Sequence, residues 1–208
     1  KVGKELGLFT FHPWAPGAGF WTGKGTTLYN TLADYMRGRL IPAGYQEVKT
    51  PIVYNKALWE LSGHWSHYRE NMFLVESADG DEMGLKAMNC PGHYLLYGSE
   101  KHSYKEMPIR FHEQTPLHRN EASGVLGGLT RVRQFSQDDG HCFLMESQIA
   151  GEVEALLRLI QGIYEDFGLA YDAKLSTRPD KFIGDVATWD HAEAALREAL
   201  EKAGFVAG

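Results

Sequence analysis

Residues 118–141 read HRNEASGVLGGLTRVRQFSQDDGH, and Arg119, Glu121, Arg131, Arg133, Phe135, Gln137, Asp139 and His141 all stand at odd-numbered positions. In extended chain, side chains alternate faces, so residues two apart look the same way. The spacing predicts a hairpin around a glycine-rich turn at 124–128. Arg119 and Glu121 share a face on the first arm, and the run 131–139 lies on the second. Together the arms would form a polar floor with one aromatic step. An ordinary wet face of an antiparallel pair mixes Lys, Thr, Ser and Glu, whereas this one carries three arginines, no lysine and one large ring. Arginine suits bidentate phosphate recognition and stacking on rings. The floor therefore suits a ligand with phosphates and a flat base.

Bulk properties narrow the setting. A chain of 208 residues, 43% apolar and 23% charged, can bury a sizeable core and has ordinary globular composition. It contains no apolar run near the ~18 residues that span a bilayer, and its start, KVGKELGLFTF, lacks a signal-peptide layout. The opening lysine suggests an excised piece. Two cysteines, Cys90 and Cys142, are too few for a secreted disulfide scaffold, so reduced thiols and a cytoplasmic setting are expected. The net charge of −6 argues against a nucleic-acid grip spread over the whole surface. Any such grip must be a local patch or lie elsewhere in a longer protein.

Periodicity places the elements. Leu28, Leu32, Tyr35, Met36 and Leu40 predict a helix over 26–41, capped by Thr26 or Thr27 and stopped by Pro42 and Gly44. A strand is expected over 45–54, interrupted by Pro51, which marks an edge or interface. Asp79-Gly80 signals a hairpin turn after a strand near 72–75. Pro91 opens a helix over 91–97, and strands follow near 109–111, 117–121 and 130–144. Ser147 and the apolar face from Ile149 to Phe167 predict a long helix closed by Gly168. Alternation predicts a strand over 169–175, and a last helix runs through Trp189 and Leu200. The sum is an α+β domain, an antiparallel sheet flanked by helices. Gly23-Lys24-Gly25-Thr26 lacks the spacing of a phosphate-binding loop.

The motifs also carry a resemblance. LHRNE followed by SGVLGGLTRVRQFSQDDGH resembles the second signature motif of class II aminoacyl-tRNA synthetases, in detail that of the threonyl-tRNA synthetases. KAMNCPGH at 86–93, SGHWSHY at 62–68 and LSTRPDKFIG at 175–184 are similar to the same family. The first helix and the strand ending near Pro51 resemble the first motif, which in that family forms the homodimer interface. The resemblance implies ATP-dependent activation of threonine and transfer to the threonine tRNA, with Mg2+ accompanying ATP and a protein-bound Zn2+.

Carried over residue by residue, it implies Arg119 at the α-phosphate, Glu121 and Phe135 at adenine, and Arg131 at the distal phosphates. Gln137, Asp139 and Met88 would hold the amino acid, with Asp139 on its ammonium. His64 would serve proton transfer. Arg133 is either a further cation or a structural partner. Cys90 and His141 would bind zinc. From the residues alone, a buried free thiol and a polar-strand histidine are the favoured reading of that pair, and only the resemblance turns it toward zinc. The family's third zinc ligand is a later histidine beyond this chain. Its third signature motif and its editing and anticodon-binding domains are not found either. The expectation is therefore a partial catalytic domain, truncated before the third motif, with motif 1 at about 26–54 and motif 2 at about 108–143. Two alternatives remain at this point. One is a non-catalytic synthetase-like module that binds nucleotide, amino acid or RNA. The other is a zinc hydrolase on Cys90, His141 and Asp139, disfavoured because no HExxH-type motif exists.

Overall fold

The computed structural model describes residues 1–204. The chain folds as two compact units: Lys1–Ser103 with Ile109–Cys142, and Tyr104–Pro108 with the residues from Phe143 onward. The first unit opens with α1 (Val2–Glu5), β1 (Phe9–Thr10) and β2 (Phe20–Trp21), then α2 (Gly23–Leu40). Thr22 caps α2, its side chain accepting from the Gly25 N–H at 3.1 Å. The cap thus falls a few residues before the expected threonines. Gly44, at φ +86°, turns the chain into β3 (Tyr45–Glu47).

The strand expected over 45–54 is two strands. β3 pairs in parallel with β7 (Ile109–Glu113), while β4 (Val53–Asn55) belongs to another sheet. Pro51 lies in the break, where a missing N–H costs no ladder bond. Next come α3 (Lys56–Leu61), α4 (His64–Tyr68), β5 (Leu74–Glu76) and β6 (Glu82–Leu85). β5 and β6 form the expected hairpin, with Gly80 at φ +85° in its turn, and β4 joins the other edge of β6. Over this sheet sits a core of Tyr54, Trp59, Met72 and Ala87.

α5 (Cys90–Gly98) begins one residue before Pro91. Gly92 lets it approach closely, since a Cβ there would lie 2.5 Å from Tyr54 Oη and 2.8 Å from Thr50 Oγ1. β8 (Pro116–His118) pairs antiparallel with β9 (Gln134–Ser136), Leu117 opposite Phe135. The long second arm is not continuous. β10 (Asp139–Phe143) leaves β9 and lies beside β7, in the order β10-β7-β3. The parallel β3–β7 pairing also departs from a wholly antiparallel sheet.

In the second unit α6 (Ile149–Asp166) packs with α7 (Val186–Lys202). Asp185 caps α7 by accepting from the Thr188 N–H at 2.9 Å. The side chain of Ser147 does not cap α6, which a 3-10 turn at Glu146–Gln148 precedes. Gly168, at φ +63°, closes α6 as expected. The strand expected over 169–175 does not form: alternation needs a partner ladder, and none among the described residues pairs with it. Tyr171 instead rests against Tyr164 of α6, ring centroids 4.6 Å apart. No helix among the described residues is long and apolar enough to cross a membrane.

Candidate active site

The backbone from Ala87 to Cys90 organises the site. Just past β6, the Lys86 carbonyl accepts from the His118 N–H of β8 at 2.8 Å. That bond brings the next residue, Arg119, over the loop. Arg119 Nε donates to the Ala87 carbonyl at 3.3 Å. Its guanidinium lies 5.0 Å from the centroid of the Phe135 ring and 6.0 Å from that of Tyr68. One position on, Met88 Sδ lies 2.9 Å from His64 Nε2. Asn89, fully buried, donates from Nδ2 to Asp139 Oδ2 at 3.2 Å. Three consecutive residues, Ala87, Met88 and Asn89, thus touch Arg119, His64 and Asp139 in turn.

Asp139 and His141 are two apart on β10 and share a face. Burial pushes the Cys90 thiol above its usual range, and the Asp139 carboxylate adds to this. Burial lowers His141, opposed by Asp139 and assisted by His93. The acid therefore stands electrostatically between thiol and imidazole. No group of three His, Cys, Asp or Glu side chains among the described residues is placed to hold a metal. A thiol and an imidazole beside one carboxylate are suitable donors for zinc, so the residues fit two corners of a site.

His64 opens α4, with Nδ1 2.8 Å from Ser62 Oγ and its ring 5.8 Å from that of Trp59. Burial lowers its pKa, which favours the neutral imidazole. His64 and Cys90 both line an apolar groove of about 430 Å³ with Leu58, Pro91, Tyr94 and Leu95.

The glycine-rich turn behaves differently from the expectation. Glu121 is not on a strand facing out beside Arg119. Its carboxylate accepts from Arg131 Nε and Nη2 at 3.0 and 2.8 Å. Arg133 resolves as a structural partner, donating from Nε to the Glu121 carbonyl at 2.9 Å and from Nη2 to Ser123 Oγ at 3.3 Å. Its own N–H reaches the Gly17 carbonyl at 2.6 Å, tying the turn to the N-terminal loop. Gln137 is exposed in the link between β9 and β10, where it lines a groove beside Tyr29 and Met36 of α2. The geometry thus gathers Met88, Cys90, Asp139, His141 and His64 around one loop, with Arg119 and Phe135 beside them. It sets Glu121 and Arg131 against each other.

Sequence reading missed a buried polar cluster. Lys86, His93 and Glu113 are each 0% exposed. Lys86 Nζ lies 3.0 Å from Glu113 Oε1, and His93 Nε2 lies 3.1 Å from Glu113 Oε2. Burial alone would raise the Glu113 pKa. Hydrogen bonds from His93, the Thr50 N–H, Thr115 and Lys86 outweigh it and hold the carboxyl far below its usual range. The available signal was the i, i+3 spacing of Cys90 and His93 on a helix, which puts both on one side.

Known proteins extend these observations. Residues 73–199 match the family described as tRNA synthetase class II core domain (G, H, P, S and T). The chain is 55% identical to a threonine--tRNA ligase of Myxococcus xanthus over 99% of its length, and 50% identical to a cytoplasmic threonine--tRNA ligase of Caenorhabditis elegans over 98%. It covers 32% and 28% of those proteins, so it spans about a third of their length. Among solved structures, the RNA binding domain of threonyl-tRNA synthetase from Cryptosporidium parvum Iowa II superposes with a TM-score of 0.94 at 43% identity. That alignment covers 99% of this chain and 51% of the other. A Giardia lamblia prolyl-tRNA synthetase in complex with prolyl-adenylate shares the fold, with a TM-score of 0.72 at 18% identity, covering 79% of this chain and 34% of the other. Because the family match takes in more than half of the chain, and with it the 87–90 loop, Arg119 and both β-arms, this chain belongs to the class II tRNA synthetase core domain family (G, H, P, S and T).

Proposed function

We propose that this chain contributes the amino-acid and ATP-binding part of a threonine--tRNA ligase. In the full-length protein the site joins threonine to AMP and passes the threonyl group to the threonine tRNA. The observation that carries this reading is the 87–90 loop, which binds Arg119 at Ala87 and Asp139 at Asn89. A cation suited to phosphate and a carboxylate suited to ammonium are thereby held from one short segment. The similarity to threonine--tRNA ligases supports the choice of amino acid.

In the first step a threonine carboxylate oxygen attacks the α-phosphorus of ATP, and the bond to the pyrophosphate oxygen breaks. Two anions must meet, so neutralisation and alignment supply most of the catalysis. Arg119 bridges the carboxylate and α-phosphate. Phe135 offers a ring to adenine. Asp139 holds the ammonium, Gln137 and Met88 complete the amino-acid side, and Glu121 and Arg131 serve adenine and the distal phosphates once ATP separates their pair. Mg2+ enters with the ATP phosphates. In the second step the tRNA 3′-terminal hydroxyl attacks the acyl carbon and AMP leaves. His64, whose burial favours the neutral imidazole, takes the proton in this reading.

Cys90 and His141 would hold zinc with a third ligand from outside the described residues. When bound, the ion would supply Lewis-acid chemistry suited to engaging a hydroxyl-bearing amino acid. Valine is nearly isosteric but lacks the hydroxyl, and a site built to engage a hydroxyl rejects such an analogue far better than an apolar pocket does. Cys90→Ser in the full-length protein is expected to reduce zinc content and to lower discrimination against valine by about a hundredfold. Elemental analysis and parallel exchange assays check both. Zinc loss with intact discrimination would remove the metal as the reader of the hydroxyl.

The working protein is a homodimer in the cytoplasm, joined through α2 and the segment ending near Pro51. Leu28 and Leu32 of α2, 45% and 44% exposed, support that face. The test of the reading as a whole is threonine-dependent ATP–pyrophosphate exchange by the full-length protein. Ligand binding without exchange would favour the non-catalytic module instead.

A further inference from the structure

His93, Glu113 and Lys86 have no task in the reaction above, yet the fold buries all three completely. We propose that Glu113 and His93 form a relay that fixes His141 as its Nδ1–H tautomer, so that Nε2 is the nitrogen left with a lone pair to offer a metal. His93 is thus a positioning residue, and the proposal rests on the zinc reading of Cys90 and His141.

The direction of the relay follows from counting protons. Glu113 Oε1 accepts from the Thr50 N–H at 2.7 Å, from Thr115 Oγ1 at 2.7 Å and from Lys86 Nζ at 3.0 Å. Oε2 accepts from Thr50 Oγ1 at 2.9 Å. A carboxyl surrounded by donors in this way is ionised and can only accept. His93 Nε2, 3.1 Å from Oε2, therefore carries a proton. Lys86 already balances the charge of Glu113, and a second cation on His93 would leave the fully buried trio with a net positive charge. His93 is thus the neutral Nε2–H tautomer with a bare Nδ1.

That bare nitrogen lies 2.8 Å from Nδ1 of His141, the rings meeting edge to face with centroids 4.7 Å apart. Two facing ring nitrogens share one hydrogen, and here it must come from His141. A proton on Nδ1 of His141 leaves the lone pair on Nε2, the form a metal takes. The identity of the ligating atom is thereby set by a lysine–glutamate pair two residues removed from it.

The test uses the full-length, zinc-loaded protein and follows zinc transfer to a colorimetric chelator. His93→Leu removes the acceptor and is expected to speed release by about 10–100-fold. His93→Gln keeps an amide donor for Glu113 and a carbonyl acceptor for His141, and should restore most of the wild-type rate. A wild-type rate in His93→Leu, or a Gln variant no better than the Leu variant, overturns the relay. If His93→Leu does not fold, the tautomer is read directly in zinc-free wild-type protein by long-range 1H–15N correlation on 15N-histidine. Nε2–H on His141 overturns the proposal, and Nδ1–H upholds it. Cys90→Ser separates the two readings. Unchanged zinc content in that variant sinks the metal site, whereas zinc loss there with normal release from His93→Leu sinks the relay alone.

Discussion

Arg119→Ala in the full-length protein is expected to lower threonine-dependent ATP–pyrophosphate exchange by about 10³-fold, the upper range for removing one preorganised donor from a developing charge. The reasoning starts from the native contacts. Arg119 is held by a single 3.3 Å bond to the Ala87 carbonyl and by its place over Phe135, so the side chain lies against the floor and is not locked in an ion pair. Losing those contacts costs the fold only about 1 kcal/mol. A thermal melt should therefore move little while exchange collapses. Arg119→Lys should rescue poorly, because a point charge cannot bridge carboxylate and phosphate as a planar fork does. Exchange at the wild-type rate in the alanine variant would remove Arg119 from the chemistry.

Glu113→Ala should have the largest effect on stability, about 3–5 kcal/mol, because it strands a fully buried lysine. Lys86 Nζ would keep only Thr50 and Thr115 as partners. Denaturant unfolding of the wild type and variant measures the difference. The pH dependence has a definite sign. The folded carboxyl titrates well below its usual value, so its contribution is complete above the unfolded value of about 4.3. It is lost progressively as pH falls from there through the folded pKa. The gap between wild type and variant should accordingly narrow in acid. A gap that is constant from neutral pH to strong acid would show that Glu113 is not held ionised.

The helices were the most legible part of the fold. A 3.6-residue apolar period and a terminal glycine mark α6 from local sequence alone, and an apolar stripe marks α7. The strands were less so. A period of two fixes which side chains share a face but not which strand lies alongside. Residues 130–144 therefore read as one arm, although β9 pairs with β8 and β10 turns away to β7. The alternation through Leu169 and Tyr171 found no partner at all among the described residues.

The site divides in the same way. Arg119 and Phe135 were visible as residue types on one face, and they do meet. Glu121 and Arg131 were also visible, but an opposite charge across a tight turn finds its nearest partner first. Cys90 and His141 were visible as ligand types but were joined as a pair chiefly by the family resemblance, since ligands so far apart leave no local pattern. Lys86, Glu113 and His93 were invisible because lysine and glutamate read as surface until a structure shows them paired inside.

The most direct test is a crystal structure of the full-length protein with a sulfamoyl analogue of threonyl-adenylate. The account predicts the sulfamoyl group within about 3 Å of the Arg119 guanidinium, the base on the Phe135 ring and the ammonium on Asp139. An analogue bound away from the 87–90 loop, with Arg119 still resting on Phe135 and Ala87, would contradict it.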